Sequence, residues 1–148
     1  MMNLDIRKAT RNDLKDILAI YGETDIDNGH VVDLRSAEAI LDQMKRYPDY
    51  TLYVATIDNQ VVGSFALLIM HNLAHMGALS AVVEDVVVNS KWRGQGVGSQ
   101  MIEFAMGKAR EAKCYKIVLS CSIDRDRAHK FYESLGFERH GYSFKVEF

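Results

Sequence analysis

The sequence predicts an α/β fold in which one sheet contains a right-handed βαβ unit, and three observations lead there. Val82-Val83-Glu84-Asp85-Val86-Val87-Val88 is dense in β-branched residues on both faces, as a central strand is. A glycine-rich turn, Arg93-Gly94-Gln95-Gly96-Val97-Gly98-Ser99, follows shortly after it. From there the apolar residues recur as Val97, Met101, Phe104, Ala105, Ala109 and Ala112, the stripe of a helix lasting to about Lys113. At 148 residues, 48% hydrophobic and 26% charged, the chain has the size and composition of one packed domain. No linker or repeat divides it, so residues 1–148 are read as a single domain.

The remaining elements follow in order. Asn3 to Ala9 alternates Leu4 and Ile6 with Asp5 and Arg7, a strand. Thr10 with Asp13 three residues on then opens a helix over Leu14, Ile17, Leu18 and Tyr21. A polar loop leads to a second helix from about Asp33 to Arg46, stopped by Pro48. Tyr50–Ile57 and Val61–Met70 form a hairpin around Asp58-Asn59-Gln60, and Leu79–Asn89 is the central strand. After the glycine turn and its helix come a strand at Tyr115–Cys121, a helix at Asp124–Leu135 closed by Gly136, and a strand or hairpin over Phe137–Phe148. Met70, Met76, Met101 and Met106 are read as core.

Eighteen Lys and Arg against 20 Asp and Glu leave a net charge of −2, which gives no bulk pull toward nucleic acid or anionic lipid. Cys114 and Cys121 fall near opposite ends of one predicted strand, too far apart to bond. The N-terminus has no basic segment followed by an apolar run. The longest apolar stretch, Val61 to Met70, is far short of a membrane span. These features fit a reduced, cytoplasmic protein.

The glycine turn carries the first chemical signal. Glycines let backbone N–H groups approach an anion, and the helix N-terminus adds about half a positive charge. A diphosphate is the expected ligand; the alternative is a plain tight turn. No Gly-Lys-Ser/Thr follows, so a P-loop is excluded, and the G-x-G-x-x-G spacing of a dinucleotide fold is absent.

These segments resemble the GNAT superfamily of acetyl-CoA-dependent N-acetyltransferases. The resemblance rests on Glu84-Asp85-Val86-Val87-Val88, on Arg93-x-x-Gly96-x-Gly98, and on Ala128-His129-Lys130-Phe131-Tyr132-Glu133-Ser134-Leu135-Gly136-Phe137. It covers about residues 50 to 148. Within the superfamily, the strand at 83–88 and Cys114-Tyr115-Lys116-Ile117 are similar to the glucosamine 6-phosphate N-acetyltransferases. Ala128–Tyr132 and Gly141–Phe144 are similar to the aminoalkylphosphonate N-acetyltransferases.

The resemblance implies a mixed, mostly antiparallel sheet flanked by helices, with acetyl-CoA held on a parallel strand-helix-strand unit and no metal. Val86, Val87 and Val88 would pair their backbone with the pantetheine arm as an added strand does. Arg93, Gly94, Gln95, Gly96, Val97, Gly98 and Ser99 would cradle the pyrophosphate. The Val86 N–H would serve as oxyanion donor. Tyr132 would be the general acid that protonates the departing thiolate; by position alone, Phe131, Tyr132, Leu135 and Phe137 are equally an aromatic core. One departure is that Arg125 stands where the family often has asparagine, seven residues before the tyrosine. A homodimer through the C-terminal strands is compatible with the resemblance.

An ammonium acceptor is almost wholly protonated at neutral pH, so a base is needed, and a carboxylate acting directly or through water is the expected one. Glu84 is the first choice and Asp85 the second. On a regular strand neighbouring residues face opposite sides, and a bulge would change that. The alternative for both is a structural ion pair.

His71 and His75 have no third ligand beside them, and Asp25-Ile26-Asp27-Asn28-Gly29 lacks a calcium loop's glycine and glutamate positions, with Ser36 at the twelfth place. Acceptor contacts are expected from residues 22–35 and 71–80. Glu23, Asp25, Asp27 and Asp33 there, against His30 and Arg35, favour a cationic acceptor. The expected reaction is direct attack by the amine of a small metabolite. A non-catalytic acyl-CoA sensor and a protein lysine or N-terminal acetyltransferase remain as alternatives.

Overall fold

A computed structural model describes residues 2–148. By internal packing the chain divides into two compact units, one ending at Val118 and the other running Leu119–Phe148.

The first unit is built on a five-stranded sheet in the order β1-β2-β3-β4-β5: β1 (Leu4–Lys8), β2 (Tyr50–Ile57), β3 (Gln60–Met70), β4 (Ser80–Val88) and β5 (Lys116–Val118). The first four strands pair antiparallel and β4 pairs with β5 in parallel. Helices α1 (Leu14–Gly22) and α2 (Leu34–Met44) precede β2, and α3 (Val97–Glu111) is the crossover between β4 and β5. The mixed, mostly antiparallel sheet with its parallel strand-helix-strand unit is the fold the sequence predicts.

Short polar motifs set the helix starts. Asp13 accepts from the Thr10 backbone N–H at 2.7 Å and takes both guanidinium nitrogens of Arg7 at 2.8 and 2.9 Å, so the first turn before α1 is capped and tied to β1. Those bonds to Arg7 hold the Asp13 carboxyl below its ordinary range although it is 5% exposed. Asp33 caps α2 by accepting from the Ser36 N–H at 2.9 Å.

The sheet's two faces have separate cores. On one, Ile17 and Ile20 of α1, Ala37 and Leu41 of α2, Val54, Val61 and Val87 form one cluster. On the other, α3 lays Met101, Ile102 and Ala105 on the sheet at full burial. Tyr53 stacks on Phe65 at 5.2 Å and meets Phe104 edge-on at 5.1 Å. At Gly63 a Cβ would lie 2.9 Å from the Met101 sulfur and 3.0 Å from the Val87 carbonyl oxygen, so a side chain there would press on the end of the Met101 side chain and on the β4 backbone.

The second unit contains α4 (Asp126–Ser134) and no strand among its described residues. This corrects two expectations. The strand expected over Tyr115–Cys121 is confined to Lys116–Val118, because its ladder with β4 ends at the Val82–Val118 pair. The strand expected over Phe137–Phe148 is absent: Tyr142, Phe144 and Val146 alternate as a strand face does but are 88%, 94% and 73% exposed. Alternation specifies a face, and a strand needs a ladder partner as well. Of the methionines expected in the core, Met101 is buried and Met106 half-buried, whereas Met70 at the end of β3 and Met76 on the short turn after it are exposed.

Candidate active site

Along β4 the ladder with β3 breaks step. Ala66 faces Glu84 and Ser64 faces Val87, so Phe65 alone stands opposite both Asp85 and Val86. One extra residue in β4 is a β-bulge. Asp85 takes up the distortion with φ 54°, a left-handed conformation that aspartate adopts more readily than other residues with a Cβ, apart from asparagine and histidine.

Two consequences follow. A regular strand would send Glu84 and Asp85 to opposite sides and bury one of them; in the bulged strand both are exposed, which corrects the expectation of carboxylates inside a central strand. On its other edge, β4 is paired with β5 only from Ser80 to Val82, leaving the edge of Glu84–Val88 without a strand partner among the described residues. Val87 itself is buried, and Val86 and Val88 are half-buried.

Two tyrosines that the sequence did not single out as functional belong with this pair of carboxylates. Tyr21, near the end of α1, has its phenol pushed up to about 12, first by burial and then by the Asp85 carboxylate, with the Ser64 hydroxyl acting the other way. Tyr50, at the start of β2, is raised by burial and by Asp85 and Glu84, and packs edge-on against Tyr47 at 6.0 Å. The available signal was parity: Tyr50 lies two residues before Leu52, which packs on the α1–α2 cluster, so it shares that face.

After β4, Asn89 accepts from the Lys91 N–H at 2.9 Å and turns the chain. The Arg93 Nε donates to the Val88 carbonyl at 3.2 Å and the Gln95 side-chain amide to the Lys91 carbonyl at 2.9 Å, which holds the loop closed beside the strand end. Gly94 and Gly96 have φ of 74° and 87°, and a Cβ at either would meet nothing within 4 Å. These glycines therefore serve the turn's conformation and leave its outer side open. Gly96 is the residue before α3 and brings no side-chain cap, so the first amides of the helix, at Val97, Gly98 and Ser99, have no side-chain acceptor from it. An open loop with uncapped helix amides fits a pyrophosphate. The Glu23 carboxylate accepts from the Ser90 N–H at 3.3 Å, tying the loop after α1 to the same corner.

In the second unit, Tyr132 is half-buried on α4 between Phe131 and Phe137, with ring centroids at 5.0 and 5.8 Å. Its phenol is raised, first by burial and then by Cys121, with Arg125 opposing. The core and acid readings of this residue are compatible: the rings hold the phenol and burial keeps its proton on.

His75 stacks on Tyr115 with centroids 4.4 Å apart, and His71 is exposed at the end of β3. Cys114 and Cys121 are both free thiols, and burial raises the Cys114 thiol. No helix among the described residues is long and apolar enough to cross a membrane.

The chain belongs to the acetyltransferase (GNAT) family, whose model matches residues 14–137, and with it to the acyltransferases. A probable glucosamine 6-phosphate N-acetyltransferase of Drosophila melanogaster is 38% identical over 97 residues, 64% of this chain and 43% of the fly protein, so the match spans less than half of that relative. The glucosamine 6-phosphate N-acetyltransferase of Trypanosoma brucei brucei is 26% identical over 147 residues, 95% of this chain and 92% of its own. Among solved structures, a putative acetyltransferase from Agrobacterium tumefaciens superposes with a TM-score of 0.90 at 30% identity, covering 97% of this chain and 99% of that one.

Proposed function

We propose that this chain moves the acetyl group of acetyl-CoA to the primary amine of a small metabolite by direct attack, with glucosamine 6-phosphate the leading acceptor. The bulge at Asp85–Val86 carries the reading. It sets exposed carboxylates beside a strand edge that has no strand partner among the described residues, a short way before an open, amide-lined turn. The acceptor is taken from the two relatives named for it.

In this mechanism the backbone of Val86, Val87 and Val88 holds the pantetheine arm as a further strand. The turn from Arg93 to Ser99, through Gly94, Gln95, Gly96, Val97 and Gly98, holds the pyrophosphate. Glu84 takes the proton from the acceptor ammonium, directly or through a water, and Asp85 lies next to it as the reserve base. The freed amine forms the bond to the thioester carbon while the Val86 N–H donates to the oxygen on which charge builds, a contact worth about 2.7–4 kcal/mol in comparable sites. As the carbon–sulfur bond breaks, Tyr132 supplies the proton to sulfur, while the second proton of the attacking nitrogen is lost to solvent, from which the Tyr132 phenolate takes its proton back. A phenol held above its ordinary value is still protonated throughout the neutral range, as an acid must be.

The test is calorimetric titration with acetyl-CoA followed by thiol release in the presence of glucosamine 6-phosphate, aminoalkylphosphonates, uncharged amines and diamines. Saturable binding with turnover on the phosphosugar is the expected result. Turnover confined to diamines would reject that acceptor in favour of a cationic one, and an absence of acetyl-CoA binding would reject the reading entirely. We predict that Tyr132→Phe binds acetyl-CoA normally, lowers kcat by about 100-fold or more, and removes the fall in kcat that appears as pH rises through the phenol's raised pKa. Unchanged turnover would remove Tyr132 from the mechanism.

A further inference from the structure

Within the second unit, the histidine of the Ala128-His129-Lys130-Phe131-Tyr132 motif makes a contact that the transfer mechanism leaves unused. His129 is the fourth residue of α4, its side chain is 15% exposed, and its Nε2 lies 2.8 Å from the Ser122 carbonyl oxygen. A carbonyl only accepts, so Nε2 carries the ring proton and donates it. Nδ1 is left toward the Asp126 carboxylate, 3.9 Å away.

The bond gains its meaning from how α4 begins. Arg125, the residue before the helix, supplies no side-chain cap. The entry is a turn closed on one atom: the Ser122 carbonyl accepts from the Arg125 N–H at 3.1 Å as well as from His129. The Arg125 carbonyl in turn accepts from the His129 N–H at 3.0 Å. His129 therefore ties the segment Cys121–Arg125 to the helix through both its backbone and its ring.

Tyr132 lies three residues further along α4, so it shares a face with His129, and a helical side chain leans over the turn that precedes it. That direction takes the phenol back toward the tied segment. The two groups that act on the phenol, Cys121 and Arg125, both belong to that segment. The ring itself is packed against Phe131 and Phe137, and the Phe137 N–H donates to the Tyr132 carbonyl at 3.1 Å.

We propose that His129 is a positioning residue for Tyr132: by donating to the Ser122 carbonyl it holds the Cys121–Arg125 segment against the phenol and so fixes where the hydroxyl stands. The consequence for turnover rests on the reading of Tyr132 as the acid. Opening the bond frees the segment. Burial is the largest influence on the phenol, ahead of Cys121, which acts with it, and Arg125, which opposes it, so losing that cover returns the phenol toward its ordinary value.

Three replacements in the full chain test this. Glutamine puts an amide nitrogen at the reach of Nε2, asparagine puts one at the reach of Nδ1, and alanine supplies none. In protein isotope-labelled at tyrosine Cζ, NMR titration follows the Tyr132 phenol, assigned as the signal missing in Tyr132→Phe. His129→Ala and His129→Asn are expected to move its midpoint to lower pH and to lower kcat by about tenfold, with the KM for acetyl-CoA little changed. His129→Gln should restore both. A midpoint that does not move in His129→Ala would overturn the proposal and leave a bond that serves only the fold. Equal behaviour of the Gln and Asn variants would overturn it too, and that pair decides the matter if His129→Ala does not fold. The midpoint is read without turnover. Failure of the acid reading, seen as unchanged turnover in Tyr132→Phe, is thus distinct from failure of this inference.

Discussion

Two stretches of left-handed backbone flank the last residues of β4, and they are built from different materials. In the turn that follows, glycine takes the conformation at Gly94 and Gly96; in the bulge within the strand, an aspartate takes it at Asp85. Glycine pays no steric penalty there, whereas a residue with a Cβ is held in place only by the structure around it. The turn is therefore a local device, specified by its own residues. The bulge is a sheet-wide device, specified by the ladders on either side: Glu84 with Ala66 before it and Val87 with Ser64 after it. A glycine turn can thus be recognised from a short string of residues, while the element that brings the carboxylates out is recorded only in pairing.

Deleting Asp85 separates the bulge from the turn most directly. Removing the one extra residue lets both flanking ladders run in continuous register, so the sheet should survive while the carboxylate and the Val86 amide lose their placement. We predict a folded protein by circular dichroism whose turnover falls by about 100-fold or more, as misplacement by an ångström does. An active deletion variant would show that the bulge is incidental. Next in size is Glu84→Gln, which keeps shape and removes the proposed base. We expect kcat to fall by about 100-fold with acetyl-CoA affinity unchanged, whereas a loss divided evenly between Glu84→Gln and Asp85→Asn would mean that the two carboxylates share the proton.

On the turn side, Gly96→Val forces a β-branched residue into a left-handed position, with open space around it and therefore no clash to add. The expected cost is about 1–2 kcal/mol in the melt with a clear rise in KM for acetyl-CoA and little change in kcat. Smallest is Asp85→Gly. Glycine removes the backbone penalty at the bulge but adds freedom to the unfolded chain, so stability should move by less than about 1 kcal/mol. A large loss of stability there would mean that the Asp85 side chain itself holds the strand.

Most of the fold was legible because its elements are locally encoded. Thr10 and Asp13 announced α1, Asp33 announced α2, and Pro48 closed it; the valine run marked β4, and the spacing from Val97 to Ala109 marked α3. The candidate site was legible in the same uneven way. The turn from Arg93 to Ser99 was visible, as were Glu84 and Tyr132, while the bulge that brings both carboxylates out was open to the sequence only as a condition. Tyr21 and Tyr50 were not singled out as functional, because what marks them is proximity to Asp85 across separate elements. The C-terminal stretch failed for the opposite reason: Tyr142, Phe144 and Val146 follow a strand's rhythm, and rhythm alone cannot supply a partner.

The missing side chain at Gly63 has a mechanical consequence. Met101 is the fifth residue of α3, and its sulfur rests 2.9 Å from where a Gly63 Cβ would be, so the bare strand is the surface against which this part of the helix seats. Gly63 also lies directly across from Val88, whose carbonyl takes the Arg93 Nε. One end of this assembly is the helix seat and the other is the anchor of the turn, with a rigid rod of about 6 Å between Met101 and the first helical amide. A change that shifts the seat moves the start of α3 with it, because a helix tilts or slides and scarcely compresses. The alignment of the glycine turn is in this sense a tolerance set on the opposite side of the strand, by an atom that is not there.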